Sequence, residues 1–302
     1  MKRKAIVSEM KKNSICPHIF IVMIILIGSL LMTSCQFSSV EASGSGTVKT
    51  LMSDLPKDPR YQFTYRVAEF LNDALYDRYQ HDDGTLFRRL MSYHETLSES
   101  EEISFVPFCG NHVEILNVDI PEPCVVNYGE EFMNESFYEI DGEKAVAAEA
   151  IQIFESFLDL FPLEIADGRG FIESDFRYMK DRRIPVIMGS EYKELFETGD
   201  IFEGYYLFER VSFEVIGIAK SGNSFYHPAV GPALYDRYII MPFERVTNDS
   251  PFSRLQLLQE TCGFIISENG WETAVSQIQQ SLTDSGLADW RDQIVVNTRT
   301  IR

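Results

Sequence analysis

The chain has 302 residues, 45% of them hydrophobic and 24% charged, which is enough apolar material for a sizeable core. Its net charge of -19 is unevenly placed: Lys2, Arg3, Lys4, Lys11 and Lys12 against Glu9 make residues 1–17 basic, and the remainder is strongly acidic. An acidic surface repels phosphate backbones, so nucleic acid is excluded as a partner.

Residues 18–37 (HIFIVMIILIGSLLMTSCQF) contain no Asp, Glu, Lys or Arg and no polar face at helical spacing. At about 1.5 Å per residue such a helix just crosses a hydrocarbon core about 30 Å thick. The basic flank before it and the acidic bulk after it place the N-terminus in the cytoplasm and the rest outside. The expected localisation is therefore the cell membrane, as a single-pass protein. Two other fates fit the same run. It could be a cleaved signal peptide, or Leu31–Cys35 could act as a lipobox-like site that lipidates Cys35. All three put the bulk of the chain outside.

Residues 38–50 (SSVEASGSGTVKT) are small and polar and read as a linker. Phe63, Val67, Phe70, Leu71, Leu75 and Tyr79 recur at spacings of three and four and predict a helix from Gln62 toward Leu97. Gly84 interrupts it, and a second helical piece covers 86–97. Residues 103–109, 112–118 and 124–128 are rich in Val, Ile and Phe, with Gly110-Asn111 and Pro121/Pro123 between them; they read as strands and turns. Residues 144–161 (KAVAAEAIQIFESFLDLF) have helix-forming composition. Residues 184–189, 205–207, 211–218 and 238–241 predict short strands, the middle two as a hairpin. The end reads strand (263–267), amphipathic helix (271–282, stopped by Gly286), strand (293–297).

Cys109 and Cys124 could pair in an oxidising compartment, closing a loop of 16 residues; such a bridge would add about 3 kcal/mol in the chain-entropy account. Two buried thiols are the alternative. No CxxC, HExxH or Cys/His cluster predicts a metal, and no phosphate loop, nucleophile elbow or dinucleotide fingerprint predicts a cofactor or catalysis. The adjacent carboxylates Asp82-Asp83, Glu101-Glu102 and Glu130-Glu131 point apart on any regular element and read as solvated faces. His227, in a loop-like Ser-Phe-Tyr-His-Pro run, is the one weighed catalytic histidine, and a satisfied loop residue is the plainer reading. Phe202, Tyr205, Tyr206 and Phe208 form a candidate contact patch, with alternate burial in a β core as the competing account.

A set of local passages occurs in order: Phe154-Glu155-Ser156-Phe157-Leu158-Asp159-Leu160, then Ala166-Asp167-Gly168-Arg169-Gly170-Phe171 with Asp175-Phe176, then residues 184–190, 192–200, 213–218 and 236–242. With the apolar run ahead of them, they resemble the extracytoplasmic core of FtsX/MacB-type ABC transporter permeases. The resemblance implies an α+β fold: residues 1–17 a cytoplasmic tail, 18–37 a transmembrane helix, 51–165 and 246–302 a porter-like α/β subdomain, and 166–245 an inserted small β-rich subdomain. It implies a non-enzymatic part that transmits ATPase-driven motion for export or envelope signalling, truncated or split from the family's later helices. The implied partners are a cytoplasmic ABC ATPase, further permease transmembrane segments and membrane lipid, with a homo- or heterodimer open. A lipoprotein or anchored extracellular binding protein with no transport role is the alternative.

Overall fold

The computed structural model describes residues 64–69, 84–126, 138–177, 183–227, 231–288 and 294–297. The basic tail, the apolar run, Cys35, the linker, most of the 62–83 stripe and the carboxylate pairs at 82–83 and 130–131 lie outside the described residues. Among the described residues no helix is long and apolar enough to cross a membrane.

The chain enters through β1 (Thr64–Glu69) and α1 (Thr85–Ser98) and then forms the long β2 (Ser104–Leu116). There follow β3 (Tyr138–Ile140), β4 (Glu143–Ile153), the short α2 (Glu155–Leu160), β5 (Ile165–Gly168) and β6 (Ile184–Met188). The hairpin β7 (Ile201–Tyr206) and β8 (Glu209–Ala219) leads to a separate ribbon, β9 (Ser224–His227) and β10 (Gly231–Leu234). The chain ends with β11 (Ile239–Pro242), α3 (Pro251–Gln259), β12 (Gly263–Ile266), α4 (Trp271–Asp284) and β13 (Ile294–Asn297).

Two units share β2. Residues of β2 from Ser104 to Pro107 pair with β12, which with β1 and β13 makes a small sheet in the order β13-β1-β12-β2. From Phe108 onward β2 pairs with β4, and the ring β2-β7-β8-β6-β11-β4 closes on itself as a barrel. Closure removes the open edges that a sheet this size would otherwise expose. Period-two alternation sets what faces where. Val113, Ile115, Ala148, Ala150, Val186, Met188, Phe213, Val215, Ile239 and Met241 fill the interior. Their neighbours Ile151, Ile153, Ile187, Ile216 and Ile240 face outward under a second apolar layer. A register shift between Val186 and Ile187 lets Phe213, Val215 and Ile218 share the interior despite their uneven spacing.

The outer layer is aromatic. Phe108 stacks on Phe157 of α2 with centroids 5.0 Å apart, and Phe225 of the ribbon lies 4.6 Å from Tyr235. Phe161 and Phe264 continue the cluster onto the small sheet, so α2, the ribbon and β12 are cemented to one barrel wall. On the other side, α1, α3 and α4 bury Leu90, Tyr93, Leu255, Leu258, Ile278 and Leu282 against Ile103 and Ile265.

Four expectations are corrected. Residues 64–69 are a strand, not the start of a helix, while the second helical piece is present as α1. Residues 143–153 are a strand, and only 155–160 are helical. The alanines that suggested a helix are there because barrel interior positions 148 and 150 need small side chains between β2 and β11; tertiary packing overrides local propensity. Gly110-Asn111 is not a turn, since β2 passes straight through it. Gly110 serves close approach instead: a Cβ there would sit 2.5 Å from His227 Nε2. The barrel also takes β2 and β4 from before residue 166 and β6, β7, β8 and β11 from after it, so 166–245 is not a self-contained insert. The 205–218 hairpin, the strands at 184 and 238, and the closing strand-helix-strand unit are found as expected, with β12 and β13 flanking β1.

Candidate functional site: a polar junction between barrel and helical layer

A group of buried polar side chains gathers where α3 caps the barrel. Ser250 opens α3 by accepting from the Ser253 N–H at 3.0 Å, and Pro251 occupies the first turn, where its missing N–H costs nothing. The helix is buried on every side, so its polar residues must find partners inside. Gln256 Nε2 donates to the Glu244 carbonyl and to Glu260 Oε1, the latter at 3.1 Å. Gln259 Oε1 accepts from Asn111 Nδ2 at 3.3 Å and lies 3.3 Å from the Tyr206 hydroxyl. That hydroxyl bonds Gln152 Oε1, and Gln152 Nε2 donates to the Pro242 carbonyl at 3.3 Å. Strands β2, β4, β7 and β11 are thereby tied to one helix.

Electrostatics keep this junction neutral. Burial pushes the Glu260 carboxyl up to about 8, only partly offset by the Gln256 hydrogen bond. Burial also holds the Tyr206 phenol well above its ordinary range, reinforced by the Cys109, Glu260 and Glu244 side chains. His94, half-buried between α1 and α3, has Nε2 3.0 Å from the Leu257 carbonyl, and desolvation lowers it to about 4 despite that bond. Neutral amides, a phenol, a protonated acid and an uncharged imidazole form a latch that proton uptake or loss would loosen; the group presents no activated nucleophile.

A second cluster sits on the barrel wall. Arg237 Nε approaches Glu149 Oε2 at 2.8 Å, and its guanidinium lies 5.2 Å from the Tyr238 ring centre. Burial raises Glu149, with Arg237 opposing it. Burial pushes the Cys124 thiol up to about 11, beside the Tyr192 hydroxyl.

The anticipated site residues are dispersed. Cys109 and Cys124 are both thiols with no bridge between them; Cys124 is in the barrel core and Cys109 faces the Gly110 carbonyl. The aromatic patch does not form. Phe202 and Tyr206 point into the barrel, and Tyr205, on the opposite face, donates to Asp141 at 2.9 Å. Phe208 packs on the helical core. The alternation that a strand imposes splits this run between faces. His227 is packed edge-on to Phe108 at 5.2 Å. Glu101 and Glu102 are exposed, with Glu102 accepting from Asn269 at 2.7 Å. Gln256, Gln259 and Glu260 belong to no sequence motif; the one local signal is the helix start at Ser250-Pro251 ahead of them.

No family model and no curated protein matches the chain. Among solved structures, the periplasmic region of MacB from Actinobacillus actinomycetemcomitans aligns at 16% identity and a TM-score of 0.41, covering 80% of this chain and 92% of that one. The extracellular domain of the noncanonic ABC-type transporter YknZ from Gram-positive bacteria aligns at 12% identity and a TM-score of 0.39, covering 78% of this chain and all of that one.

Proposed function

We propose that the chain is the extracytoplasmic module of an FtsX/MacB-like ABC permease, relaying ATPase-driven movement of membrane helices to a partner or substrate outside the cell. One observation carries the reading beyond the sequence resemblance. Strands β1 and β13 are antiparallel neighbours, with Arg66 opposite Asn297 and Glu69 opposite Ile294. The chain thus enters the fold and leaves it at the same end of the same small sheet. That is the arrangement a module needs if both of its tethers come from one membrane face. The apolar run 18–37 lies ahead of β1 and supplies one tether. Displacement of β1 or β13 would pass through β12 to β2, and β2 is itself a barrel stave.

The test is fractionation of cells expressing the full chain with a C-terminal tag, followed by protease treatment of intact cells and affinity purification. The expected result is a membrane-bound chain with its tag cleaved from outside and a cytoplasmic ABC ATPase in the purified complex. Recovery of the intact chain in the cytosol would end the proposal. Membrane attachment through a diacylated Cys35 without any ATPase would favour the anchored binding protein instead.

A further inference from the structure

Only three large apolar side chains are markedly exposed among the described residues: Ile172 at 53%, Leu195 at 44% and Ile201 at 49%. Leu195 and Ile201 come from the barrel end remote from α3, and Ile172 from the segment between β5 and β6 that Asp167 and Thr198 tie to the Leu195 loop. Strand β7 runs from Ile201 to Tyr206, and it is Tyr206 that meets Phe252 of α3, with ring centres 5.8 Å apart. Ile201 is the cross-strand partner of Glu214, and because Phe202 and Phe213 stack inward at 4.9 Å, both Ile201 and Glu214 face out. Arg169 donates its backbone N–H to the Ile216 carbonyl at 2.9 Å and interacts electrostatically with Glu214. The same arginine grips Asp175, whose Oδ2 also accepts the Ile172 N–H at 2.9 Å. Leu195 stands on the loop before β7, next to Phe196, whose ring is 5.1 Å from Phe202. Asp167 and Thr198 bond across the two segments and hold them side by side.

The charge around these side chains is predominantly negative. Glu191, Glu194, Glu197 and Asp200 are exposed on the loop, with Lys193 as its one cation. The nearby Arg169 and Arg177 are already engaged by Asp175 and Glu173. Apolar residues rigidly presented inside an acidic rim do not serve solubility, which charge alone would provide. A second copy of the same rim would bring carboxylates onto carboxylates, and an anionic lipid surface would be repelled. We propose that this rim is a docking surface for a cationic polypeptide segment with spaced apolar side chains, the apolar groups covering Ile172, Leu195 and Ile201 and the cations meeting the loop carboxylates.

The experiment uses the full chain in phosphatidylcholine nanodiscs and measures fluorescence anisotropy of a short labelled peptide alternating lysine and leucine, with its glutamate counterpart and empty nanodiscs as controls. The lysine peptide should bind and the glutamate peptide should not. Replacing Ile172, Leu195 and Ile201 together by Ser should weaken binding about tenfold or more, since their apolar cover is lost. Glu194→Lys with Glu197→Lys should weaken it comparably at low salt and much less at high salt. All these positions are exposed, and unchanged thermal melting would verify folding. Equal binding of the two peptides, or undiminished binding by the Ser variant, overturns the proposal. So does a dimer in sedimentation that the Ser variant dissolves, because the rim would then belong to self-association.

Discussion

Glu260→Gln should make the protein more stable as pH rises, because the native carboxyl stays protonated while the unfolded one does not. The folded value is about 8 against an ordinary 4.5. Between those values the folded state binds the extra proton, so wild-type stability falls with increasing pH by about 1.4 kcal/mol per unit from this group. The loss is absent below the unfolded value, grows through neutrality and levels off above the folded value. Near pH 7 it amounts to about 3 kcal/mol. Glutamine keeps the shape and the acceptor that Gln256 Nε2 uses at 3.1 Å, and it cannot ionise. The variant should match wild type near pH 4 and exceed it by about 3 kcal/mol near pH 7, or by about 6–12 °C in melting temperature. Urea titrations at several pH values read the difference directly. A difference that does not change with pH would mean that the folded carboxyl is already ionised, and the neutral-latch account would be wrong.

Tyr206→Phe strips the hydroxyl that bonds Gln152 and approaches Gln259, both buried, and should cost about 1–3 kcal/mol in denaturant unfolding. Gly110→Ala drives a methyl group to 2.5 Å from His227 Nε2 and should destabilise by about 1–3 kcal/mol, with His227→Ala restoring most of the loss in a double-mutant cycle. Cys124, pushed up to about 11 by burial, should resist iodoacetamide at neutral pH until the protein is unfolded, as counted by mass spectrometry.

The parts of this fold that were legible beforehand are those whose local chemistry agrees with their final place. The β7–β8 hairpin could be read from two apolar runs around Glu209-Arg210. Its turn is made by Leu207 and Phe208, both at positive φ (48° and 69°), where glycine or asparagine is usual, so no turn motif announced it. Packing against the helical core explains why apolar residues sit there. The alanine-rich β4 and the glycine within β2 misled because their composition answers to distant partners: the barrel interior in one case and the His227 ring in the other. The polar junction was hidden for a similar reason. Asn111, Gln152, Tyr206 and Gln259 are ordinary residues far apart in sequence, and only barrel closure brings them under one helix.

How the two units stay in step follows from the handover on β2. Its pairing passes from β12 to β4 at Pro107 and Phe108, and Pro107 faces Gly263 in the register. Proline has no N–H to give to the ladder. Gly263 has φ 155°, and a Cβ there would lie 2.3 Å from the Val106 carbonyl oxygen, so this position demands glycine. The ladder therefore lacks one donor at the point where the units join, and the next N–H, that of Phe108, reaches the Cys262 carbonyl at 3.0 Å. Two other bonds span that point. The aromatic cluster of Phe108, Phe157, Phe161 and Phe264 grips one face, and the polar latch of Gln152, Tyr206 and Gln259 grips the other. Bending in either direction must open one of them, exposing aromatic surface or leaving buried amides unpaired.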